Sequence, residues 1–343
     1  MRILYGVQGT GNGHITRARS MARAFAETDI RVDYLFSGRP ADKFFSMEPF
    51  GACQYRRGLT LNWHDGRLDY FRTLLKNNLL QLINDIRSLD LEPYDLVITD
   101  FEPVTAWAAR LGKTPCLGIS HQYAFKYRVP IAGKNLASTM LMKYFAPADR
   151  CLGFHWHHFN GPILPPLIEK PGHELSIDRQ KILVYLPFES LGTIINWLRP
   201  VNSHDFFIYH ELDRAEDDGH LHLRPFDRAG FNADLANCGG VIANAGFGLS
   251  SEAIQCGKKL LVKPMQGQME QLSNAAALNE LGLGMTMSKF DIDILKDWLC
   301  QGNPPQHRYP CVATALVDWI RSGFRQDPME LARSLWQSTQ ARI

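Results

Sequence analysis

The sequence predicts an α/β protein with two doubly wound parallel sheets that face a central cleft. Three observations carry this prediction: short apolar runs alternate with longer amphipathic stretches, the alternation restarts in the second half, and a proline-rich segment separates the halves. With 343 residues, the chain is long enough for two domains that each have a core.

The first half alternates strand-like and helix-like segments. The predicted strands are residues 3–7, 32–36, 96–98 and 116–119. The predicted helices are residues 15–27, 74–89 and 104–111. Because a helical stretch separates consecutive strands, we expect the strands to be parallel.

The alternation restarts in the second half. The predicted strands are residues 182–186, 206–209, 221–224, 241–243 and 260–262. Three prolines within residues 161–166 cannot donate ladder hydrogen bonds, so we predict a linker there. The last predicted helix covers residues 329–341, with Asp327 as its cap and Pro328 in its first turn.

These segments give a domain prediction. We expect one Rossmann-like domain over residues 1–160, a second over 167–326, and a C-terminal helix within 327–343 that can return to the first domain. Two such domains joined by one linker place the C-terminal ends of their strands on either side of a cleft, where ligands of open α/β sheets bind.

Composition excludes some functions. A formal net charge of +2 does not predict nucleic-acid binding. No run of 18 apolar residues is present, and the N-terminus begins as a strand rather than a signal peptide. Seven scattered cysteines without a C-x-x-C pair are typical of a reducing compartment, so we expect the protein in the cytoplasm.

A glycine-rich loop follows the first strand. Gly9, Thr10, Gly11 and Gly13 precede His14, and the glycines permit tight turns and close backbone approach beside a helix start. The spacing is G-x-G-x-G-H, whereas dinucleotide sites have G-x-G-x-x-G. Arg39 after the second strand leaves an NADP-dependent dehydrogenase as a minor alternative.

Several polar residues end the strands of the first half and are catalytic candidates. His14 suits a general base because neutral imidazole accepts protons near pH 7; a structural cap is the alternative. Asp100 could orient that imidazole, or instead cap the helix near Pro103. His121 could contact an acceptor or replace His14 as the base, and Glu102 is a weaker candidate.

The strongest motif covers residues 241–253. A strand runs through Asn244 into a glycine-containing turn and a helix, formed by Gly246, Phe247, Gly248, Leu249 and Ser250. The backbone N–H groups of such a turn bind a diphosphate at the positive end of the helix dipole. Glu252 could accept both hydroxyls of a ribose, although an acid in a first helical turn is also common.

The next helix carries a second polar group. Glu270, Gln271 and Asn274 lie at its start, and their carboxylate and amide groups suit sugar hydroxyls. Helix capping is the alternative for each residue taken alone.

Together, these two regions resemble the GT-B glycosyltransferases, with the lipid II N-acetylglucosaminyltransferase and the UDP-glucuronosyltransferases closest in form. The shared pattern is a glycine turn, S-x-x-E-A, a glycine, a strand that ends in proline, and an acid with Q-x-x-N. The G-x-G-x-G-H loop is similar to the acceptor-domain loop of the same families.

The resemblance implies an inverting, metal-independent transfer from a nucleotide-sugar donor, with a UDP-sugar as first choice and no cofactor. It implies that Glu252 holds the ribose, that the turn from Gly246 to Ser250 holds the diphosphate, and that Glu270 and Gln271 hold the sugar. It also implies that the backbone near Phe226 reads the base. His14 would be the base, with Asp100 as its partner.

The chain departs from these families after the first strand of its second half. Glu189 stands where a glycine-rich turn is expected and would repel a diphosphate, although Ser190 could still bind a phosphate. The extra acid keeps a nucleotide-sugar epimerase or hydrolase as an alternative. A non-catalytic nucleotide-sugar-binding protein is the other alternative.

Other clusters give weaker predictions. His155, His157 and His158 do not have the spacing of a metal site, so no metal is predicted. Aromatic and basic residues over 123–145 favour a core-facing helix, with peripheral contact at the inner membrane face as the alternative. The motifs favour glycoconjugate or cell-envelope biosynthesis, and they identify neither the acceptor nor an oligomeric state.

Overall fold

The computed structural model describes residues 1–44, 46–60, 63–64, 67–68, 78–169 and 172–341. Its two largest sheets have seven strands each. The predicted fold class is confirmed: both sheets are predominantly parallel and carry helices in the βα order that the sequence predicts.

The first sheet has the strand order β3-β2-β1-β6-β7-β8-β9. Its strands, and a small hairpin formed by β4 and β5, are β1 Arg2–Gln8, β2 Arg31–Ser37, β3 Cys53–Tyr55, β4 Trp63–His64, β5 Arg67–Leu68, β6 Leu96–Asp100, β7 Cys116–Ile119, β8 Arg150–Phe154 and β9 Ile163–Leu164. The helices are α1 Asn12–Ala26, α2 Leu79–Arg87, α3 Pro103–Gly112 and α4 Leu136–Tyr144. Three-residue 3-10 turns cover Ala41–Lys43 and Glu48–Phe50, and a longer one covers His121–Lys126.

The second sheet has the order β12-β13-β11-β10-β14-β15-β16. Its strands are β10 Asp178–Tyr185, β11 Asp205–Tyr209, β12 Glu216–Asp218, β13 Leu221–Arg224, β14 Cys238–Ala243, β15 Lys259–Val262 and β16 Met285–Thr286. The helices are α5 Leu191–Leu198, α6 Arg228–Asn237, α7 Phe247–Gln255, α8 Met269–Glu280, α9 Ile292–Leu299, α10 Val312–Arg321 and α11 Pro328–Gln337. A further pair joins β17 His307–Arg308 to β18 Gln340–Ala341.

The central strands are buried because helices cover both faces of each sheet. Residues 3–8 of β1 and all of β14 are buried, which explains why both read as continuous apolar runs rather than alternating ones. One large apolar cluster includes side chains of both sheets and of the C-terminal helices. The halves therefore share part of their core.

Three sequence predictions need correction or limits. The linker prediction over 161–166 is partly wrong, because Ile163–Leu164 pair with β8 as an edge strand, a position where flanking prolines are tolerated. The helix predicted over 74–89 is seen from Leu79, and residues 74–77 lie outside the described residues. The domain boundaries themselves stay a prediction.

The last helix is shorter than predicted. It ends at Gln337 rather than 341, because Ser338 and Thr339 hydrogen-bond through their hydroxyls to carbonyl oxygens one turn earlier. The chain then forms β18. The helix does return to the first sheet, since the Trp336 indole donates to the Ile163 carbonyl oxygen at 2.7 Å.

No helix among the described residues is both long and apolar enough to cross a bilayer.

Candidate active site between the two sheets

Two glycine loops from different sheets meet at the candidate site. The Gly11 loop (residues 9–13) opens α1, and the Gly246 turn (residues 244–248) opens α7; neither N-cap glycine gives its helix a side-chain cap. A methyl group on Gly248 would lie 3.6 Å from the Cα atom of Gly13. Uncapped N–H groups at two helix starts therefore lie close to one another.

The base of the Gly11 loop is fixed to β2. The Gly9 amide donates to the Ser37 carbonyl oxygen at 2.6 Å, and the Thr10 hydroxyl accepts from the Gln8 side-chain amide at 2.5 Å. A Cβ atom on Gly9 would lie 2.7 Å from that same carbonyl, so the close approach requires glycine here. Gly11 and Gly13, by contrast, have open space around them.

His14 lies in the first turn of α1 and faces the end of β6. Its Nδ1 atom is 2.8 Å from Asp100 Oδ1, as the sequence hypothesis of a His–Asp pair requires. The His14 side chain is 13% exposed, whereas that of Asp100 is completely buried. The Nε2 atom makes no hydrogen bond to the described residues, so with Nδ1–H donated to Asp100 it can accept a proton.

Sequence reasoning missed Arg17, which completes this cluster. Arg17 follows His14 by three positions and so lies on the same face of α1. Its guanidinium donates to both carboxylate oxygens of Asp100, at 2.9 and 2.6 Å. Its Nη2 atom also lies 2.9 Å from His14 Nδ1 and 3.3 Å from Ser120 Oγ.

The charges of this cluster are mutually dependent. Burial alone would raise the pKa of Asp100, but Arg17 and His14 reverse the effect and hold this pKa below its ordinary value. Burial likewise opposes the charge of Arg17, and Asp100 raises the Arg17 pKa. Asp100 is therefore an anion at neutral pH, and it is shared between an arginine and the candidate base.

The structural alternative for Asp100 is wrong. Glu102, not Asp100, caps α3: its carboxylate accepts from the amides of Val104 and Thr105 at 2.8 and 2.7 Å. It also accepts from the hydroxyls of Ser37 and Thr105 at 2.6 Å each. Glu102 is fully buried and has all four of these partners, which leaves it a structural role.

His121, the alternative base, is placed differently from His14. It is 1% exposed, and burial lowers its pKa. Its Nδ1–H donates to the Phe154 carbonyl oxygen at 2.7 Å, and Nε2 lies 2.7 Å from Asn274 Oδ1. Its ring stacks on Phe247 of α7, with 4.0 Å between centroids. Both ring nitrogens are thus engaged, and this geometry favours His14 as the base.

Further contacts join the first half to α7 and α8. The Trp156 indole donates to Ser251 Oγ at 2.8 Å, and the Gln122 amide donates to Glu270 Oε2 at 3.0 Å. Together with the His121–Asn274 contact, they bring the Gly246 turn against the end of the first sheet.

Two polar side chains at the Gly246 turn and the start of α7 have buried atoms without a partner among the described residues. Ser250 Oγ is completely buried and makes no hydrogen bond to the described residues. Asn244 donates to the Lys263 carbonyl oxygen at 3.0 Å, but its own Oδ1 has no such partner. Leu249, between these two, is half-buried and packs on the core. Unpartnered buried polar atoms are rare in folded proteins, and two of them lie here beside an uncapped helix start.

Glu252 occupies a charged pocket at the far side of α7. Its pKa is raised to about 7, mainly by burial and also by the neighbouring Glu169, while Arg228 opposes the shift. Arg228 pairs with Glu169, which also lies 3.2 Å from Arg23 of α1. The described residues provide no hydrogen-bond donor to the Glu252 carboxylate, so it can accept from a ligand.

The three candidates of α8 differ in availability. Gln271 is 5% exposed, and its side-chain oxygen accepts from the Met265 amide at 2.9 Å. Asn274 is fully buried, contacts His121 and donates to the Ala245 carbonyl oxygen at 2.9 Å. Glu270 is half-buried, with only Oε2 accepting. Direct sugar contact stays a prediction for all three; Glu270 has the freest groups.

A lysine that the sequence prediction did not use neutralises Glu189. Lys263 Nζ donates to Glu189 Oε1 at 2.6 Å, and both side chains are about one-tenth exposed. The repulsion expected between Glu189 and a diphosphate is therefore offset by an ion pair. Ser190 is exposed and caps α5 by accepting from the Thr193 amide at 3.3 Å, so its phosphate contact stays a prediction.

Phe226 lies at the end of β13 and is 52% exposed. Its ring centroid lies 6.0 Å from that of Tyr185, at the end of β10. An exposed aromatic ring beside the strand ends offers a face on which a planar base can stack.

Two other clusters from the sequence are the histidines within residues 155–158 and the apolar side chains of α4. His155 is buried, while His157 and His158 stack on each other at 4.4 Å, and no group of three potential ligands suited to a metal is found among the described residues. On α4, Leu136 and Met140 are 80% and 51% exposed. Membrane contact through that helix stays a prediction.

Comparisons with known proteins point in one direction. A family model described as "Glycosyl transferase family 1" matches residues 1–301, which is most of the chain. No curated protein matches the chain.

Several solved structures are similar over nearly the whole chain. The glycosyltransferase SnogD from Streptomyces nogalater is 16% identical, with a TM-score of 0.52 over 93% of this chain and 99% of that one. LpCGTa in complex with UDP is 14% identical, with a TM-score of 0.60 over 97% and 98%. UGT89C1 of Arabidopsis thaliana, complexed with UDP-L-rhamnose, is 12% identical, with a TM-score of 0.57 over 88% and 89%. At these identities the likeness shows the fold alone.

Proposed function

Since the chain belongs to glycosyl transferase family 1 and is a glycosyltransferase of GT-B fold, we propose that it moves a hexose from a UDP-sugar to an acceptor beside His14. The proposal includes inversion at the sugar carbon and independence from a metal ion. UDP is the first choice of carrier because LpCGTa was solved with UDP and UGT89C1 with UDP-L-rhamnose.

The observation that carries the proposal is the uncapped start of α7 at the Gly246 turn. A diphosphate there accepts hydrogen bonds from the free N–H groups and is stabilised by the helix dipole. The unpartnered Ser250 hydroxyl and the open surroundings of Gly246 support the same location. These amides would also stabilise the nucleoside diphosphate as it leaves, which is the main electrostatic demand of the reaction.

The rest of the donor would lie along α7 and β13. The Glu252 carboxylate would accept from the two ribose hydroxyls, and Phe226 would stack on the base. The sugar would lie toward Glu270, while Gln271 and Asn274 hold the surrounding backbone through the bonds that they already make. Lys263 would keep Glu189 from repelling the phosphates.

His14 would act as the general base. As the acceptor oxygen attacks the anomeric carbon, its proton passes to His14 Nε2 and the bond from that carbon to the diphosphate oxygen breaks. Asp100 orients the ring and stabilises its charged form, as carboxylates do in other His–Asp pairs. Attack from the face opposite the departing diphosphate inverts the configuration, and the anomeric centre passes through an oxocarbenium-like state.

The two alternative functions lose their specific support. The sequence cue for an epimerase or hydrolase is the extra acid Glu189, which is paired with Lys263 and so is not a free acid at the sugar. A non-catalytic binding protein has no need of a base, whereas His14 has a free ring nitrogen and a buried anionic partner.

The first experiment is a thermal-shift panel of UDP, dTDP, GDP, CDP and NADPH. A ligand that binds only the folded state raises the melting temperature, and at 100 times its Kd the stabilisation is about 2.7 kcal/mol. We expect the largest rise with UDP and none with NADPH. A rise with NADPH alone would overturn the proposal in favour of a dehydrogenase.

The second experiment tests the chemistry once a donor is identified. We expect the anomeric proton of the product to show the configuration opposite to that of the donor in an NMR spectrum. We also expect turnover to persist after dialysis against EDTA. Retained configuration, or activity restored only by a divalent cation, would contradict the corresponding part of the proposal.

A further inference from the structure

A large basic cavity lies on the first sheet, outside the site described above. Its volume is about 800 Å³, and it opens beside the ends of β2 and β3 and the helix α2. Arg39, Arg56 and Arg57 line it. All the described residues around it fall between 39 and 88, so the cavity belongs to the first half of the chain alone.

The three guanidinium groups have no carboxylate partner among the described residues. Within the described ranges, Arg56 donates only to neutral oxygens, the Tyr55 carbonyl at 3.1 Å and the Gln54 side chain at 3.4 Å. Arg39 donates to the Asn12 side-chain oxygen at 3.0 Å, while its Nε atom is buried and has no partner among the residues that the structure describes. Arg57 is exposed.

One acidic side chain partly offsets the positive charge of these arginines. Asp85 is the single carboxylate among the described residues that line the cavity, and its Oδ1 accepts from the Gln81 amide at 2.8 Å. Among the described residues that line the cavity, three arginines against one aspartate leave two net positive charges. The whole chain has a formal net charge of only +2, so this concentration is local.

Arg39 connects the cavity to the candidate active site. It bonds to Asn12, which is the first residue of α1 and stands two positions before His14. It is also close enough to Tyr185 of β10 for its charge to lower the tyrosine pKa, against the larger effect of burial. Arg39 therefore borders both the cavity and the interface between the two sheets.

We propose that this cavity binds an anionic group, phosphate or carboxylate, of the sugar acceptor, so that the transferase acts on an acidic acceptor. This inference rests on the proposed function. Arginine suits the role because its planar fork of N–H donors matches the paired oxygens of both anions.

The anion at this cavity is separate from the donor diphosphate. The donor diphosphate is assigned to the Gly246 turn of the second sheet, whereas the arginines follow β2 and β3 of the first. An acceptor held by its acidic group at Arg56 and Arg57 would extend past Arg39 and Asn12 toward His14. The arginines thus bind and position the acceptor and take no part in bond breaking.

The experiment measures anion binding by isothermal titration with the donor site filled. The full chain, saturated with UDP, is titrated with inorganic pyrophosphate as wild type and as the double variant R56Q/R57Q. We expect the double variant to lose about tenfold or more in affinity, because each hydrogen bond to a charged group contributes strongly. The matched control R321Q/R333Q removes two exposed arginines from α10 and α11 and should change the affinity less than about twofold.

Each outcome decides one question. Equal affinity in wild type and R56Q/R57Q, or no pyrophosphate binding at all, overturns the proposed cavity. Failure of UDP to bind overturns the proposed function instead, and titration without UDP still decides whether the cavity holds an anion. If the double variant fails to fold, R57Q alone, an exposed position, should show the same loss in part.

Parallel titrations distinguish the two anions. Glucose 6-phosphate carries a phosphate, glucuronate a carboxylate, and glucose neither. We expect one of the charged sugars to bind and to lose its affinity in R56Q/R57Q, which identifies the acidic group. Glucose binding as tightly as both charged sugars would overturn the inference.

Discussion

The His14 cluster of the first half and the Gly246 turn of the second half treat their buried polar groups in opposite ways. Around His14, Asp100 is saturated: both of its oxygens accept from Arg17, and one also faces the imidazole. At the Gly246 turn, the Ser250 hydroxyl and the Asn244 side-chain oxygen are buried without a partner in the part of the chain that the structure describes.

The difference indicates two roles for buried polar groups, proton transfer and ligand binding. Pairs such as Asp100 with Arg17 hold one side chain in one orientation, which suits a group that must transfer a proton at a fixed place. Unpaired groups cost free energy until a ligand satisfies them, which suits a binding site. We infer that the first region is organised for chemistry and the second for holding the donor, and the following variants test that division.

The largest effect is expected at the base. His14→Ala should lower kcat by about 10²- to 10⁴-fold, the usual range for loss of a general base. The affinity for UDP should change less than about twofold, because the donor groups belong to the second half. Steady-state kinetics and titration with UDP measure the two quantities on the same preparation.

His121→Asn is the companion variant, because His121 is the alternative base. Its side chain bridges the two halves, so we expect lower stability and weaker donor binding from it. If His14→Ala kept full turnover and His121→Asn lost it, His121 would be the general base. The His14 cluster would then not be the region organised for chemistry.

Arg17→Gln should give the next largest effect, which is a loss of folding stability. Its removal leaves the fully buried Asp100 anion without its main partner, which typically costs about 3–5 kcal/mol. Urea unfolding of the variant measures this loss. Adding Asp100→Asn should restore part of it, because the buried charge is then absent.

Arg23→Gln is a matched control on the same helix. Arg23 also pairs with a carboxylate, Glu169, but its side chain is 59% exposed, so the loss should be under about 1 kcal/mol. Similar losses in Arg17→Gln and Arg23→Gln would show that Asp100 does not depend on its arginine.

Much of the fold follows from local pattern. Strands such as β1, β7 and β13 begin and end within one residue of their predicted bounds, because apolar periodicity and glycine turns are properties of short segments. The end of α11 was wrong by four residues, since hydroxyls of Ser338 and Thr339 compete for the last carbonyls and periodicity does not register this.

The site was less accessible from sequence. His14 and Asp100 were paired correctly because both end strands or begin helices at one edge of the first sheet. Arg17 was missed, because an arginine on an amphipathic helix ordinarily lies in solvent and only the buried carboxylate draws it inward. The Lys263–Glu189 pair was missed for a similar reason, since 74 residues separate its members.

The third prediction concerns pH and the second region. Glu252 must be ionised to accept from ribose hydroxyls, and its pKa is raised to about 7, first by burial and then by Glu169. UDP affinity should therefore rise as the pH increases from 6 to 8. Glu252→Gln should bind UDP about tenfold more weakly at pH 8 and should flatten this dependence.

Stability must move in the opposite direction with pH. The folded pKa of Glu252 lies above that of an unfolded glutamate, so the protonated side chain stabilises the fold at low pH. This contribution is lost as the pH rises through 7. Glu252→Gln stays neutral and should be more stable than wild type at pH 8. An unchanged melting temperature there would place Glu252 in contact with water and remove the reason for its raised pKa.

The smallest effect tests the comparison within two adjacent residues of α7. Ser250 Oγ has no partner among the described residues, whereas Ser251 Oγ donates to the Phe247 carbonyl oxygen at 2.7 Å and accepts from Trp156. Ser250→Ala should leave the free energy of unfolding unchanged or raise it by about 1 kcal/mol, because no hydrogen bond is lost and an unsatisfied buried hydroxyl is removed. Ser251→Ala should cost about 1–3 kcal/mol, because it leaves the buried Trp156 N–H unsatisfied.

For UDP affinity we expect the opposite order, with the larger loss in Ser250→Ala. Ser250→Ala should weaken UDP binding by about tenfold, because one hydrogen bond to a charged diphosphate is lost, while the stability of the free protein is not lowered. Ser251→Ala should weaken UDP binding only indirectly, because the loss of its hydrogen bonds makes the start of α7 less ordered. If Ser250→Ala instead destabilised the free protein without affecting UDP, its hydroxyl would be a structural group. Unpaired polar atoms at the Gly246 turn would then be no guide to where the donor binds.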